Sequence, residues 1–175
     1  MIIEDTNFLS KNNIEFIENY IFSNNFPLYM QTSSVKNDNI KSMTHIVLPR
    51  IEERDNYNET HPFYDNFVSI LKNFCSKNNI KYNEILRIAV NFTYCNGINK
   101  NSPIHIDHDF EHNQLLLYLN NPIDADCKTV LLDDHNNVYK EIYPTKFKGI
   151  FFNKMPHYMV FPKMGERYVI VFTMR

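Results

Sequence analysis

From Leu86 to the C-terminus the chain is a succession of strand-length segments, and this constrains its fold more than any other feature. Leu86, Ile88, Val90, Phe92 and Tyr94 alternate with Arg87, Ala89, Asn91 and Thr93, the period-two pattern that puts one residue set on each face of a strand. Further segments at 104–107, 114–120, 128–133, 138–143, 148–153, 158–161 and 167–173 are separated by turn formers such as Asn120-Asn121-Pro122 and Asp133-Asp134-His135-Asn136-Asn137. Many short strands in a row predict an antiparallel sandwich or barrel.

Helices come first. Ile14, Ile17 and Ile21 at helical spacing predict an amphipathic helix over 13–22, with Ser10, Asn12 or Asn13 available as its N-cap. A second runs from Pro62 through Cys75, where Phe63, Phe67, Ile70, Leu71 and Phe74 form one apolar stripe. Between them lie an extended stretch at 26–29, a polar loop at 32–42, a short strand at 44–48 and a charged, Asn-rich loop at 49–61, long enough to cover a binding site. The expected architecture is α+β, one domain over residues 1–175, with a helical part of about 1–80 buttressing one side of a β core of about 84–175.

Composition narrows the function classes. A formal net charge of −2 leaves no excess of Lys and Arg for nucleic acid or an anionic membrane. The N-terminus has no signal-peptide pattern, and no apolar run approaches the roughly 18 residues of a membrane span, so a soluble, cytoplasmic protein is expected. Cys75, Cys95 and Cys127 are widely spaced, which indicates neither a disulfide framework nor a thiolate zinc site. Glycine occurs only at Gly97, Gly149 and Gly165, so the Gly-rich phosphate loops of nucleotide enzymes are excluded.

Chemistry concentrates at Pro103-Ile104-His105-Ile106-Asp107-His108. Read as a strand, this stretch presents His105 and Asp107 on one face. A third donor completes the two-histidine, one-carboxylate face that holds non-haem Fe(II) with open positions, and His157 is the candidate. His108 and His112, four apart, form a rival zinc pair should they lie on a helix.

The order of segments after His105 and Asp107 adds to this reading. A Tyr118-Leu119-Asn120 strand, a strand opening at Thr129, a Gly149-led strand, His157 and then Arg167 ten positions later follow in turn. Over residues 85 to 175 the chain resembles the prolyl-hydroxylase-like branch of the 2-oxoglutarate- and Fe(II)-dependent oxygenases. The resemblance implies a double-stranded β-helix, or jelly roll, and a hydroxylase that couples oxidative decarboxylation of 2-oxoglutarate to succinate with C–H oxidation. It implies Fe(II) on His105, Asp107 and His157, with 2-oxoglutarate, dioxygen and a peptide or small-molecule primary substrate as partners and ascorbate as an accessory reductant. Arg167 would grip the far carboxylate of 2-oxoglutarate through paired N–H donors, Tyr118 would donate to the same carboxylate, and Tyr94, near a tyrosine that often precedes the His-x-Asp pair in this family, would also be cofactor-binding. The chain departs from the family at Asp124-Ala125-Asp126-Cys127-Lys128, where a Gly-Gly pair is usual. A hairpin centred on Met164 would pair His157 with Val171 and Phe161 with Arg167, bringing His157 and Arg167 to one face. The competing function is a non-catalytic jelly-roll module that uses the same residues to hold a metal or an anion.

Overall fold

A computed structural model of the protein describes residues 1–32, 40–56, 60–95 and 101–175. Most of the 32–42 loop, part of the 49–61 loop and the turn containing Gly97 lie outside the described residues. The strands are β1 (Ile2–Asp5), β2 (Tyr29–Gln31), β3 (Ser42–Leu48), β4 (Ile85–Tyr94), β5 (Asn113–Tyr118), β6 (Lys128–Leu132), β7 (Val138–Ile142), β8 (Gly149–Asn153), β9 (His157–Val160) and β10 (Glu166–Met174). Helix α1 (Lys11–Phe16) runs on into a π-helical turn, Ile17–Ile21, and α2 spans Tyr64–Lys77. No helix of the described residues is long and apolar enough to cross a membrane.

Two antiparallel sheets face each other, a seven-stranded one ordered β1-β8-β5-β10-β4-β3-β2 and a three-stranded one ordered β7-β6-β9. Strand alternation divides the core in two. Leu115, Leu117, Ile170 and Phe172 turn outward to meet Phe67, Ile70, Leu71 and Phe74 of α2. Leu116, Tyr118, Val169 and Val171 turn inward, toward Leu131 and Ile142 of the small sheet. The helices therefore shield one face of the large sheet, and its other face closes over the small sheet as a jelly roll.

Helix α1 is stopped at its start by a capping box. Ser10 Oγ accepts from Asn13 N at 3.2 Å, while Ser10 N donates to Asn13 Oδ1 at 3.3 Å. The buried Asn13 amide also bonds Ser69 and Asn73, which locks α1 to α2. At the other end of this layer, Phe63 N–H donates to His61 Nδ1, and Pro27 O can only accept from His45 Nδ1. The proton between the two Nε2 atoms, 2.8 Å apart, is thus carried by His61, and the chain of bonds ties β3 to the start of α2.

Several expectations need correction. Besides β3, which is the strand expected at 44–48, the described part of the first 80 residues supplies two more: β1 adds to the β8 edge of the large sheet, and β2 extends it beyond β3. The 49–61 stretch is not structureless, since Ile51–Asn56 forms a 3-10 turn. Residues 104–107 form no regular strand; the backbone of that stretch pairs with β9 at the isolated bridge His105↔His157, with Asn101↔Val160 just ahead of it. Pro103, between those bridges, has no N–H to give to a ladder. No hairpin joins β9 to β10 either. Strand β9 pairs with β6 in the small sheet, β10 pairs with β4 and β5 in the large one, and Phe161 to Gly165 carries the chain across the gap. Pro162 interrupts the ladder there and Gly165 turns it at φ +70°.

Gly149 opens β8 directly beneath α2. A Cβ on it would stand 2.8 Å from ring carbons of Phe74 and Phe8. Phe74 is fully buried and cannot swing away. Gly149→Ala is therefore expected to destabilise the fold by about 1–3 kcal/mol through overpacking, read as a lower urea midpoint at unchanged slope.

Candidate metal and anion site

The space between the sheets opens as a cavity of about 840 Å³, with His105, Asp107, His157 and Arg167 among its lining residues. Its metal end is made by strand β9 and the irregular segment beside it. One donor atom from each of His105, Asp107 and His157 lies within 4.8 Å of the other two. His157 leads β9, and its backbone exchanges both hydrogen bonds with His105 at 3.0 Å, which sets the two imidazoles side by side with centroids 4.4 Å apart.

Their tautomers follow from their partners. His105 Nδ1 faces the Pro103 carbonyl at 3.0 Å and His157 Nδ1 faces the Met155 carbonyl at 3.0 Å. A carbonyl only accepts, so each Nδ1 carries its proton and each Nε2 presents a lone pair. Burial, with His105 alongside, pushes His157 down to about 4, so that lone pair is unprotonated at neutral pH.

Burial works to raise the Asp107 carboxyl, but His157, Arg87, His105 and Arg50 around it outweigh this and hold it well below the usual carboxylate range. Its two oxygens are treated differently. Oδ1 receives Arg50 Nη2 at 3.3 Å and has Arg87 Nη1 at 4.0 Å, while Oδ2 is buried, has no hydrogen-bond partner and lies 3.7 Å from His157 Nε2. An orphaned carboxylate oxygen beside two imidazole lone pairs is a donor set that fits a divalent transition metal.

In the same cavity, alternation along β10 sends Arg167 inward with Val169 and Val171. Arg167 is 5% exposed and no carboxylate among the described residues lies within ion-pairing distance of it. Its Nη2 donates to Thr129 Oγ1 at 3.0 Å, its Nη1 rests against the Met159 sulfur, its guanidinium sits 5.2 Å from the Tyr118 ring centroid, and its Nε has no partner. A buried cation without a counter-charge costs several kcal/mol unless an anion joins it.

The other sequence candidates divide. Tyr118 is fully buried and donates its hydroxyl to Thr129 Oγ1 at 2.8 Å, beside the Arg167 guanidinium, which also acts on that hydroxyl. Tyr94 is not brought to the cavity: it shares a strand face with Phe92, centroids 5.8 Å apart, while Thr93 between them lines the cavity. His108 and His112 lie on no helix; His108 Nε2 bonds Thr173 Oγ1 and His112 Nδ1 bonds the Phe110 carbonyl. Thr129, Arg50 and Arg87 were not singled out from the sequence. Thr129 stands at the head of a strand that the sequence marks, whereas nothing local distinguishes Arg50, 57 positions from its partner.

Neither a protein-family model nor a curated protein matches the sequence. Solved structures do. An oxidoreductase of the 2OG-Fe(II) oxygenase family from Burkholderia pseudomallei superposes with a TM-score of 0.73 at 11% identity, over 99% of this chain and 84% of its own. A Trichoplax adhaerens prolyl hydroxylase in complex with a hypoxia inducible factor oxygen degradation domain peptide fragment gives 0.64 at 18% identity, over 99% and 82%. A Pseudomonas putida prolyl-4-hydroxylase gives 0.61 at 12%, over 99% and 91%. At these identities the likeness is one of fold, the jelly roll with its helical buttress.

Proposed function

We propose that the protein is a 2-oxoglutarate- and Fe(II)-dependent oxygenase of the prolyl-hydroxylase-like branch, acting as a hydroxylase on a peptide or small molecule. The observation that carries this reading is a pairing within one cavity: a His-Asp-His donor set and a buried arginine that has no acidic partner among the described residues. A metal alone would use the first, and a carboxylate alone the second. A molecule with a chelating keto-acid end and a distant carboxylate uses both. Fold likeness to oxygenases and prolyl hydroxylases points the same way.

The chain's own residues have separable tasks on this reading. His105 Nε2, Asp107 Oδ2 and His157 Nε2 would hold Fe(II). Arg167 and the Thr129 hydroxyl bind the far carboxylate of 2-oxoglutarate. Thr129 Oγ1 already accepts from Tyr118 and Arg167, so its own proton is free to be donated into the cavity. Tyr118, beneath the guanidinium, fixes its plane and keeps water from it. Leu116, Val169 and Val171 line the same space and exclude water from the far carboxylate. Iron and 2-oxoglutarate together supply the oxidising chemistry for C–H hydroxylation, with succinate and CO2 as co-products.

The test is direct. Fe(II)-loaded protein given 2-oxoglutarate, ascorbate and air is expected to release succinate above the level of metal-free protein. Tight 2-oxoglutarate binding without any succinate, across candidate peptides and small molecules, would favour a non-catalytic binding module.

A further inference from the structure

We propose that Arg50 is a positioning residue for Asp107: it reserves the carboxylate oxygen Oδ1, so that Oδ2 alone is offered to a metal. The inference rests on the metal and 2-oxoglutarate reading above. Asp107 needs such a residue because it lies two positions past the His105 bridge, in a stretch without regular strand, so no sheet fixes the direction of its side chain. Arg50 follows β3 and reaches Asp107 from another part of the chain. Its Nη1 donates to the Asp107 backbone carbonyl and its Nη2 to Oδ1 at 3.3 Å, so one planar guanidinium holds main chain and side chain of the same residue together. Arg87 Nη1 stands 4.0 Å from that same oxygen. Both cations thus attend Oδ1, while Oδ2 is buried, unbonded and turned toward His157.

The consequence concerns coordination positions. A carboxylate free to bind through both oxygens would occupy one more position on the metal than a carboxylate binding through one. With Oδ1 engaged by Arg50, that position stays open for 2-oxoglutarate. Arg50 also repels a dication, and its clamp also orients a ligand, so its removal has opposed effects on metal affinity. The cosubstrate, which loses a position, bears the net effect.

Mn(II) serves as the probe. Water-proton relaxation reports how many waters remain on bound Mn(II), and titration of 2-oxoglutarate into Mn(II)-loaded protein reports cosubstrate affinity. Arg50→Met is expected to retain Mn(II), to show weaker relaxation because a carboxylate oxygen has displaced a water, and to bind 2-oxoglutarate about tenfold more weakly, within the range typical of outer-shell partners. Arg50→Lys, which keeps the charge but meets only one of the two acceptors, should fall between parent and Arg50→Met. The double variant Arg50→Met/Arg87→Met covers replacement of one guanidinium by the other. Parent-like relaxation and parent-like 2-oxoglutarate affinity in the double variant would overturn the proposal. So would loss of Mn(II) from Arg50→Met and Arg50→Lys alike, which would make Arg50 a prop for the segment. A parent protein that binds no Mn(II) would instead overturn the metal reading itself.

Discussion

Arg167→Met is expected to leave metal binding intact and to weaken 2-oxoglutarate by about two to three decades. The side chain it replaces is 5% exposed and faces no carboxylate among the described residues, so an incoming anion would meet a desolvated, uncompensated charge. Breaking such a buried pair costs on the order of 3–5 kcal/mol, and each 1.4 kcal/mol is about tenfold in affinity. Arg167→Lys should be intermediate, since an ammonium keeps the charge and loses the fork. Tyr118→Phe should cost less, on the order of 0.5–1.5 kcal/mol, because it removes one neutral hydroxyl that donates to Thr129 and leaves the Arg167 charge in place. Titration of 2-oxoglutarate into the Fe(II)-loaded variants under anaerobic conditions measures the series. An Arg167→Met protein that binds as tightly as the parent would remove the anion seat from this residue.

Asp107→Ala and His157→Ala should each abolish stable metal binding, a loss larger than the roughly 10–100-fold that follows removal of an outer-shell partner. Asp107 carries the larger share. Its removal takes away the one anionic donor and leaves Arg50 and Arg87 facing each other without the carboxylate they share. His157 is buried with its Nδ1 fixed by a carbonyl, so alanine there removes an oriented donor. His105→Ala should follow the same course. Metal content after anaerobic loading and dialysis, measured by elemental analysis, is the readout. Iron retained at parental stoichiometry by both Asp107→Ala and His157→Ala would dismiss the site.

Much of this arrangement was legible from residue order. The spacing of Phe67, Ile70, Leu71 and Phe74 marked the stripe that α2 buries, and Arg167 does line one cavity with His157, though not through the hairpin from which the sequence placed them together. Period two says which face a residue takes and leaves the neighbouring strand unspecified, which is why a hairpin between β9 and β10 was expected where the chain in fact changes sheets. The same parity separates Tyr94 from Thr93, so the misplaced tyrosine was correctable from the alternation itself. Strand β1 was not readable, because four residues with no long alternating run become a strand only by meeting the open edge of β8. Arg50 was not readable either; its role comes from a contact that the fold creates between distant segments.

The crossing of the chain from β9 to β10 puts a seam through the middle of the site. His157 belongs to the small sheet, and His105 and Asp107 ride beside it, whereas Arg167 hangs from the large sheet and meets the small one at Thr129 and Met159. Parting the two sheets would pull Arg167 from Thr129 and Met159, and would also pull on Asp107, whose carbonyl and carboxylate are held by Arg50 at the end of β3 with Arg87 of β4 beside them. Both halves of the site are therefore strapped across the same gap, the metal-donor cluster by Arg50 and the buried arginine by Thr129, so the two are expected to loosen together when the sandwich breathes.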